Sequence, residues 1–260
     1  MAIESKGNFK MRKFLYLLRQ FGFDPVRTFR GVRFLPKYLI SVFRFRSELT
    51  ERRLLRISPV LNDFADQAGS ADGHYFWQDL ICAKWIHQNN PENHLDVGSR
   101  IDGFIAHLLT FRKVILLDVR PLNNEIPNLE VILGDAQKEL EKSIGRFDSV
   151  SSLHSIEHFG LGRYNDRLEV EGHLNGLKNI SECVSSKGSL FISFPIGEPC
   201  IEFNEQRIID PDWPESELVD FTLRQFVLIP WKGQPQFGIY PKDVDRSIKG
   251  QAGLYWFERN

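Results

Sequence analysis

The stretch His94-Leu95-Asp96-Val97-Gly98-Ser99-Arg100-Ile101-Asp102-Gly103 decides the fold. Leu95 and Val97, with the Asp96 carboxylate between them, close a short apolar run. Gly98 then lets the backbone turn and pass close to a ligand. A second apolar run, Val114-Ile115-Leu116-Leu117, ends at Asp118, twenty-two residues after Asp96. Strand, glycine turn, helix and a second strand closing on an acid make the first half of a nucleotide-binding α/β unit. Asp118 is placed to accept hydrogen bonds from both hydroxyls of a ribose.

From Asn93 onward strand and helix alternate. Strands are expected at His94–Val97, Val114–Asp118, Val131–Leu133, Ser149–Leu153 and Ser189–Phe194, with two more at Gln225–Ile229 and Gly253–Phe257. Helices are expected at Gly103–Thr110, Gln137–Ile144 and Val170–Val184. Another precedes the first strand at Gly73–Asn89, where Trp77, Leu80, Ile81 and Trp85 share a face. The pattern predicts an α/β fold: a doubly wound, mostly parallel, seven-stranded Rossmann-like sheet with an antiparallel edge strand.

Asp96 bears on which nucleotide such a unit takes. A dinucleotide puts its pyrophosphate at the glycine turn, where a carboxylate repels it. S-adenosylmethionine puts a sulfonium and an ammonium group there, which a carboxylate attracts. The residues point to the methyl donor and away from a nicotinamide nucleotide.

The 260 residues carry a formal net charge of −1, with 42% hydrophobic and 26% charged residues, ordinary values for a soluble globular chain. Cys82, Cys183 and Cys200 lie far apart, which suggests neither a zinc knuckle nor a disulfide framework and favours a reducing cytoplasm. The apolar run after Lys13 is cut short by Arg19, so neither a secretory leader nor a membrane span is expected. The small net charge hides a division. Residues 1–58 hold fourteen Lys or Arg against four acids, and eight of the twenty-one phenylalanines.

This basic, aromatic arm is read as two or three short helices. Phe14, Leu17, Leu18 and Phe21 stand at helical spacing before Gly22 and Asp24-Pro25, and a new amphipathic segment starts at Leu35-Pro36. The composition changes near Ser58-Pro59, which divides the chain into an arm, 1–58, and a domain, 59–260. The arm can pack as a helical cap, its Lys and Arg stems covering apolar surface. It can equally attach peripherally to the inner face of an anionic membrane. Nucleic acid ranks well behind, because no recognised binding module accompanies the charge.

Taken together, Leu95-Asp96-Val97-Gly98-Ser99, Asp118, Gly134-Asp135-Ala136, Phe147-Asp148-Ser149-Val150 and Glu157-His158 resemble, in order and spacing, the motifs of class I S-adenosylmethionine-dependent methyltransferases. The resemblance runs from about residue 73 to the C-terminus, with the usual Gly-x-Gly reduced to Gly98 and Gly103. It implies that Asp96 and Gly98 hold the methionine end of the donor, with Ser99 and Tyr75 beside them. It further implies that Asp118 holds the ribose, and Asp135 and Ala136 the adenine. More narrowly, Gly73–Asp79, His154–Tyr164 and the arm segment Gly22–Thr28 resemble an uncharacterised branch often met beside surface-polysaccharide and glycosyltransferase genes. That association implies a sugar or polysaccharide intermediate as the acceptor.

Methyl transfer to oxygen needs the hydroxyl deprotonated as it attacks, and a histidine of near-neutral pKa is the usual base. His154 and His158 follow the fourth strand, where a doubly wound sheet opens its crevice, with Glu157 able to orient a ring. Arg163, Tyr164, Asp166, Asn204 and Arg207 are candidate sugar contacts. His154-Ser155-Ile156-Glu157-His158 also fits the inverted zinc-protease signature, but that requires a helix, and Gly160 follows at once, so no metal site is expected. Two rival readings are a nicotinamide-dependent sugar oxidoreductase and a non-catalytic methyltransferase fold serving as a membrane-associated binding partner. Asp96 argues against the first, and the strand-end acids against the second.

Overall fold

The computed structural model describes residues 14–49, 55–66, 69, 71–138 and 140–260. The chain divides into two units, Met1–Ser70 and Ala71–Asn260.

In the first unit residues 14–20 are helical, and helix α1 spans Pro25–Glu48. The Asp24 side chain caps α1 by accepting from the amides of Val26 and Arg27, and Pro25 has no amide to satisfy. The fresh start expected at Leu35-Pro36 does not occur; α1 runs through Pro36. The amide that Pro36 lacks would have bonded the carbonyl of Val32, an exposed residue, so water can serve that carbonyl instead. One face of α1 packs on the 3-10 turn Asn62–Ala65, with Phe34 and Phe64 ring centroids 5.7 Å apart. This packing lies beyond Ser58-Pro59, within the first unit.

The second unit opens with helix α2, His74–Asn89. Strands β1 (His94–Val97), β2 (Val114–Asp118), β3 (Leu129–Leu133), β4 (Phe147–Leu153) and β5 (Val184–Ile196) follow. Helix α3, Gly172–Glu182, precedes β5. The short ribbon of β6 (Cys200–Glu202) and β7 (Gln206–Ile208) comes next, then β8 (Phe221–Pro230), β9 (Gln236–Phe237) and β10 (Gln251–Arg259). The main sheet has eight strands in the order β3-β2-β1-β4-β5-β10-β8-β9. The first five are parallel; β10 runs antiparallel to both β5 and β8. The expected antiparallel edge strand is β9, which pairs antiparallel with β8, and β10 is a further antiparallel strand inside the sheet. The hairpin from β8 brings β10 back beside β5, where Tyr255 and Phe257 join a core with Phe194 and Leu190.

Strand parity sorts the two faces. Leu95, Val97 and Leu117 pack with Leu177 and Ile180 of α3, while Val114 and Leu116 pack with Cys82, Trp85 and Ile86 of α2. The helix expected at Gly103–Thr110 is a π turn, Ile101–Ile105, continued by Ala106–Leu108. The one expected at Gln137–Ile144 shortens to Glu141–Ile144, with residue 139 outside the described residues. β1 sits between β2 and β4, so the chain leaves it in opposite directions and a crevice opens beyond the carboxyl ends of these strands.

Candidate active site

The turn after β1 depends on Gly98. Its φ is 74°, and a Cβ there would lie 2.3 Å from Ser155 Oγ, so only glycine fits. Asp96 alternates with Leu95 and Val97 and therefore faces the other side of the sheet. Fully buried, its carboxylate accepts from the Ser99 amide at 3.0 Å, the Ser99 hydroxyl at 2.7 Å and the Ser151 hydroxyl. Ser99 Oγ accepts in turn from the Leu153 amide at 2.9 Å. Burial pushes the Asp96 pKa up to about 7 against these hydrogen bonds. Asp96 and Ser99, expected as donor contacts, instead brace the glycine turn against β4.

Asp118 and Asp135 do stand in the crevice, with Gly98, Ala136, His154, His158, Tyr164 and Asp166. Asp118 is already engaged. Arg120 donates to its carboxylate from the backbone amide (2.8 Å), Nε (2.9 Å) and Nη2 (2.7 Å), while the guanidinium lies 4.5 Å from the Tyr164 ring centre. The crevice is drawn in to about 40 Å³; a second cavity of about 340 Å³ shares Asp118 and Arg120 as walls. Arg120 is the partition between them.

Beyond β4 the backbone of His154 takes φ 50°, held by its amide donating to Ser193 O at 2.8 Å. His154 Nδ1 lies 2.8 Å from Glu157 Oε1, and His158 Nε2 lies 3.7 Å from the same oxygen. Burial pushes the Glu157 pKa up, but adjoining His154, its hydrogen bond and His158 pull it further down, below the usual range. An ionised Glu157 fixes the proton of His154 on Nδ1 and leaves Nε2 as the lone-pair nitrogen. Among the described residues that buried Nε2 has no hydrogen-bond partner. Burial, with Arg163 beside the ring, lowers the pKa of His158. Ile156–His158 makes a single 3-10 turn, so the helix face that the zinc-protease signature needs does not form.

On the other side of His154 and His158 lies a cavity of about 600 Å³. Tyr75 and Trp231 supply aromatic wall, and Glu198, Glu202, Glu205 and Arg163 supply polar groups. Tyr75, expected at the donor, belongs here, its ring centre 4.9 Å from that of His154. His74, whose role the sequence did not disclose, stacks on His154 at 5.4 Å with the rings 7° from parallel, its Nε2 3.2 Å from Gly250 O. Burial, with His154 nearby, lowers the His74 pKa to about 4, so its ring is neutral.

Two expected sugar contacts brace the loop, and a third stands apart from both cavities. Arg207, buried, donates to the carbonyls of Glu157, Phe159 and Val170. Asp166 accepts from the amides of Gly160 at 3.0 Å and Tyr164 at 3.1 Å. Asn204 is exposed and lines neither cavity. Tyr164 walls the crevice, and Arg163 alone of the five lines the larger cavity. The motifs gave no signal for Arg120 or Trp231, and His74, though inside the Gly73–Asp79 motif, was assigned no role; an arginine two residues past a strand-end acid is the local hint for Arg120.

A family model described as "Caenorhabditis protein of unknown function, DUF268" matches residues 109–211, less than half of the chain. No curated protein matches the chain in sequence. Among solved structures, N-methyltransferase NodS from Bradyrhizobium japonicum WM9, in complex with S-adenosyl-L-homocysteine, is similar at 12% identity. The match covers 72% of this chain and 89% of that one, with a TM-score of 0.51. Burkholderia thailandensis 1,6-didemethyltoxoflavin-N1-methyltransferase, with bound 1,6-didemethyltoxoflavin and S-adenosylhomocysteine, is 12% identical over 88% of each chain, with a TM-score of 0.50. The second unit therefore has the fold of the S-adenosylmethionine-dependent methyltransferases: mixed α/β, with a largely parallel central sheet.

Proposed function

We propose that this chain is an S-adenosylmethionine-dependent methyltransferase that methylates a hydroxyl of a sugar or glycan intermediate in cell-surface polysaccharide synthesis. The observation that carries the reading is the position of His154. It lines both the crevice at the strand ends and the 600 Å³ cavity, and among the described residues its Nε2 has no hydrogen-bond partner.

The chain's residues fit the donor. Gly98 leaves the turn open to close approach, Asp118 offers a ribose two oxygens once Arg120 swings off, and Asp135 and Ala136 stand at the adenine end. S-adenosylmethionine supplies an electrophilic methyl group when bound. His154 Nε2 accepts the proton of the acceptor hydroxyl, and Glu157 stabilises the imidazolium through Nδ1–H. His74 stacks on the imidazole, and the Tyr75 ring lies against it at 4.9 Å with the planes 41° apart. Tyr75 and Trp231 offer faces on which a sugar ring can lie, with carboxylates at hand for its hydroxyls. Proximity and alignment supply most of the acceleration, roughly 7–11 kcal/mol in well-oriented systems.

The nicotinamide reading loses support from the sheet, because a dinucleotide fold continues with a parallel sixth strand where β10 here runs antiparallel. Calorimetric titration of the protein with S-adenosylhomocysteine, NAD and NADP tests the proposal. Binding of S-adenosylhomocysteine alone is expected; binding of NAD or NADP alone would overturn it.

A further inference from the structure

Helix α1 carries an apolar stripe that nothing in the donor or acceptor site uses. Phe29, Val32, Leu39, Ile40 and Phe43 recur at three-, four- and seven-residue spacing, with Pro36 completing the line, and so share one face. All five large side chains are exposed: Phe29 68%, Val32 65%, Ile40 62% and Phe43 72%, with Leu39 at 45%. The face turned to Asn62–Ala65 is a different one, carrying Gly31, Phe34 and Tyr38. Along one border of the stripe run Arg30, Arg33, Lys37 and Arg44, and between Pro25 and Ser47 there is no Asp or Glu. Arg30 also reaches Asp66 at 3.9 Å, and Lys37 lies over the Phe64 ring.

We infer that α1 is a membrane-surface helix that docks the protein on an anionic lipid bilayer. An apolar stripe bordered by cations is the pattern that lets a helix lie in the interface, its rings among the acyl chains and its bases among lipid phosphates. No helix among the described residues is long and apolar enough to cross a membrane, so α1 lies along the surface. Nucleic acid would satisfy the arginines and leave the stripe in water. A second copy paired antiparallel, stripe to stripe, would bring two basic borders together.

The test is co-sedimentation of the full chain with phosphatidylcholine vesicles and with mixed phosphatidylcholine–phosphatidylglycerol vesicles. Binding to the mixed vesicles alone is expected, with release as added salt screens the charges. A Phe29→Ser/Phe43→Ser variant and an Arg33→Glu/Lys37→Glu variant should each lower the bound fraction about tenfold or more. Circular dichroism confirms that each variant is folded, and the charge variant stands alone if the first is not. Wild type that stays in solution with anionic vesicles overturns the inference. So does wild-type binding by both variants, or retention on a DNA duplex without vesicle binding. A stripe variant that only halves the solution mass would show a self-interface and overturn it too.

Discussion

On the proposed function Arg120 competes with the ribose for Asp118, and removing it should tighten donor binding. The carboxylate side chain is 9% exposed and the guanidinium 47%, so the pair is half in water. Charge-assisted hydrogen bonds are worth about 1.5–3 kcal/mol each when sheltered. Solvent on the arginine side reduces this pair to about 0.5–1 kcal/mol. Since 1.4 kcal/mol is a factor of ten, Arg120→Ala should bind S-adenosylhomocysteine about two- to fivefold more tightly. Isothermal titration of wild type and variant, repeated at two salt concentrations, reads this directly. Salt should loosen the Arg120–Asp118 pair and raise wild-type affinity, whereas Arg120→Ala should respond less. Asp118→Ala should lose affinity, because the ribose hydroxyls lose their acceptor. If Arg120→Ala binds tenfold more weakly, the guanidinium contacts the donor rather than competing with it. If neither variant changes affinity, the crevice at Asp118 is not the ribose site.

His154→Ala should lower turnover about a hundred- to ten-thousand-fold with a supplied acceptor while S-adenosylhomocysteine affinity stays near wild type; equal loss of both would make the residue structural. Glu157→Gln should lower turnover with a supplied acceptor while S-adenosylhomocysteine affinity stays near wild type, because the imidazolium loses its carboxylate partner; unchanged turnover would break the dyad assignment. Asp96 titrates at about 7 when folded against an ordinary 3.8, so the folded state holds its proton more tightly. The stability it contributes at low pH is therefore lost as pH rises from about 4 to about 7, and Asp96→Asn should flatten that part of the melting profile. His74 and His94, held neutral down to about 4 and about 3, act oppositely as pH falls below 6.5, so the comparison is variant against wild type at each pH. Gly98→Ala should destabilise by about 1–3 kcal/mol through the positive φ and the Ser155 clash, and Ser155→Gly should recover part of it; strict additivity in denaturant melts would remove the clash.

The α/β pattern was legible because the sheet's centre obeys local rules. β1 and β2 are short apolar runs bounded by a turn and an acid, and their limits fall where the residues place them. Strand order is a long-range property, and no local pattern says that β10 inserts between β5 and β8. Lys187-Gly188 reads as a turn into the fifth strand, yet β5 runs through it. Lys187 takes φ 62° and the pairing with β4 slips between Phe147 and Ser149, so the turn signal marked an irregularity inside the strand. At the site, the acids were legible as strand-end groups, but parity decides which way each points. Asp96 lies between two core residues and so had to face the other side, toward His94, Ser151 and Ser99.

What could not be read locally is the joint that unites the two cavities. The Gly73 amide donates to Trp231 O at 3.0 Å, Trp231 N donates to Gly250 O at 2.7 Å, and His74 Nε2 meets the same Gly250 O. Three segments far apart in the chain thus close around the head of α2, and His74 stacks directly on the proposed base. On the proposed function, a sugar lying on Trp231 would sit against this joint, and His74 is the ring that connects it to His154. Replacing His74 by Phe keeps the stack and removes the bond to Gly250. On this argument it should raise KM for the acceptor more than it lowers kcat, and leave S-adenosylhomocysteine affinity unchanged.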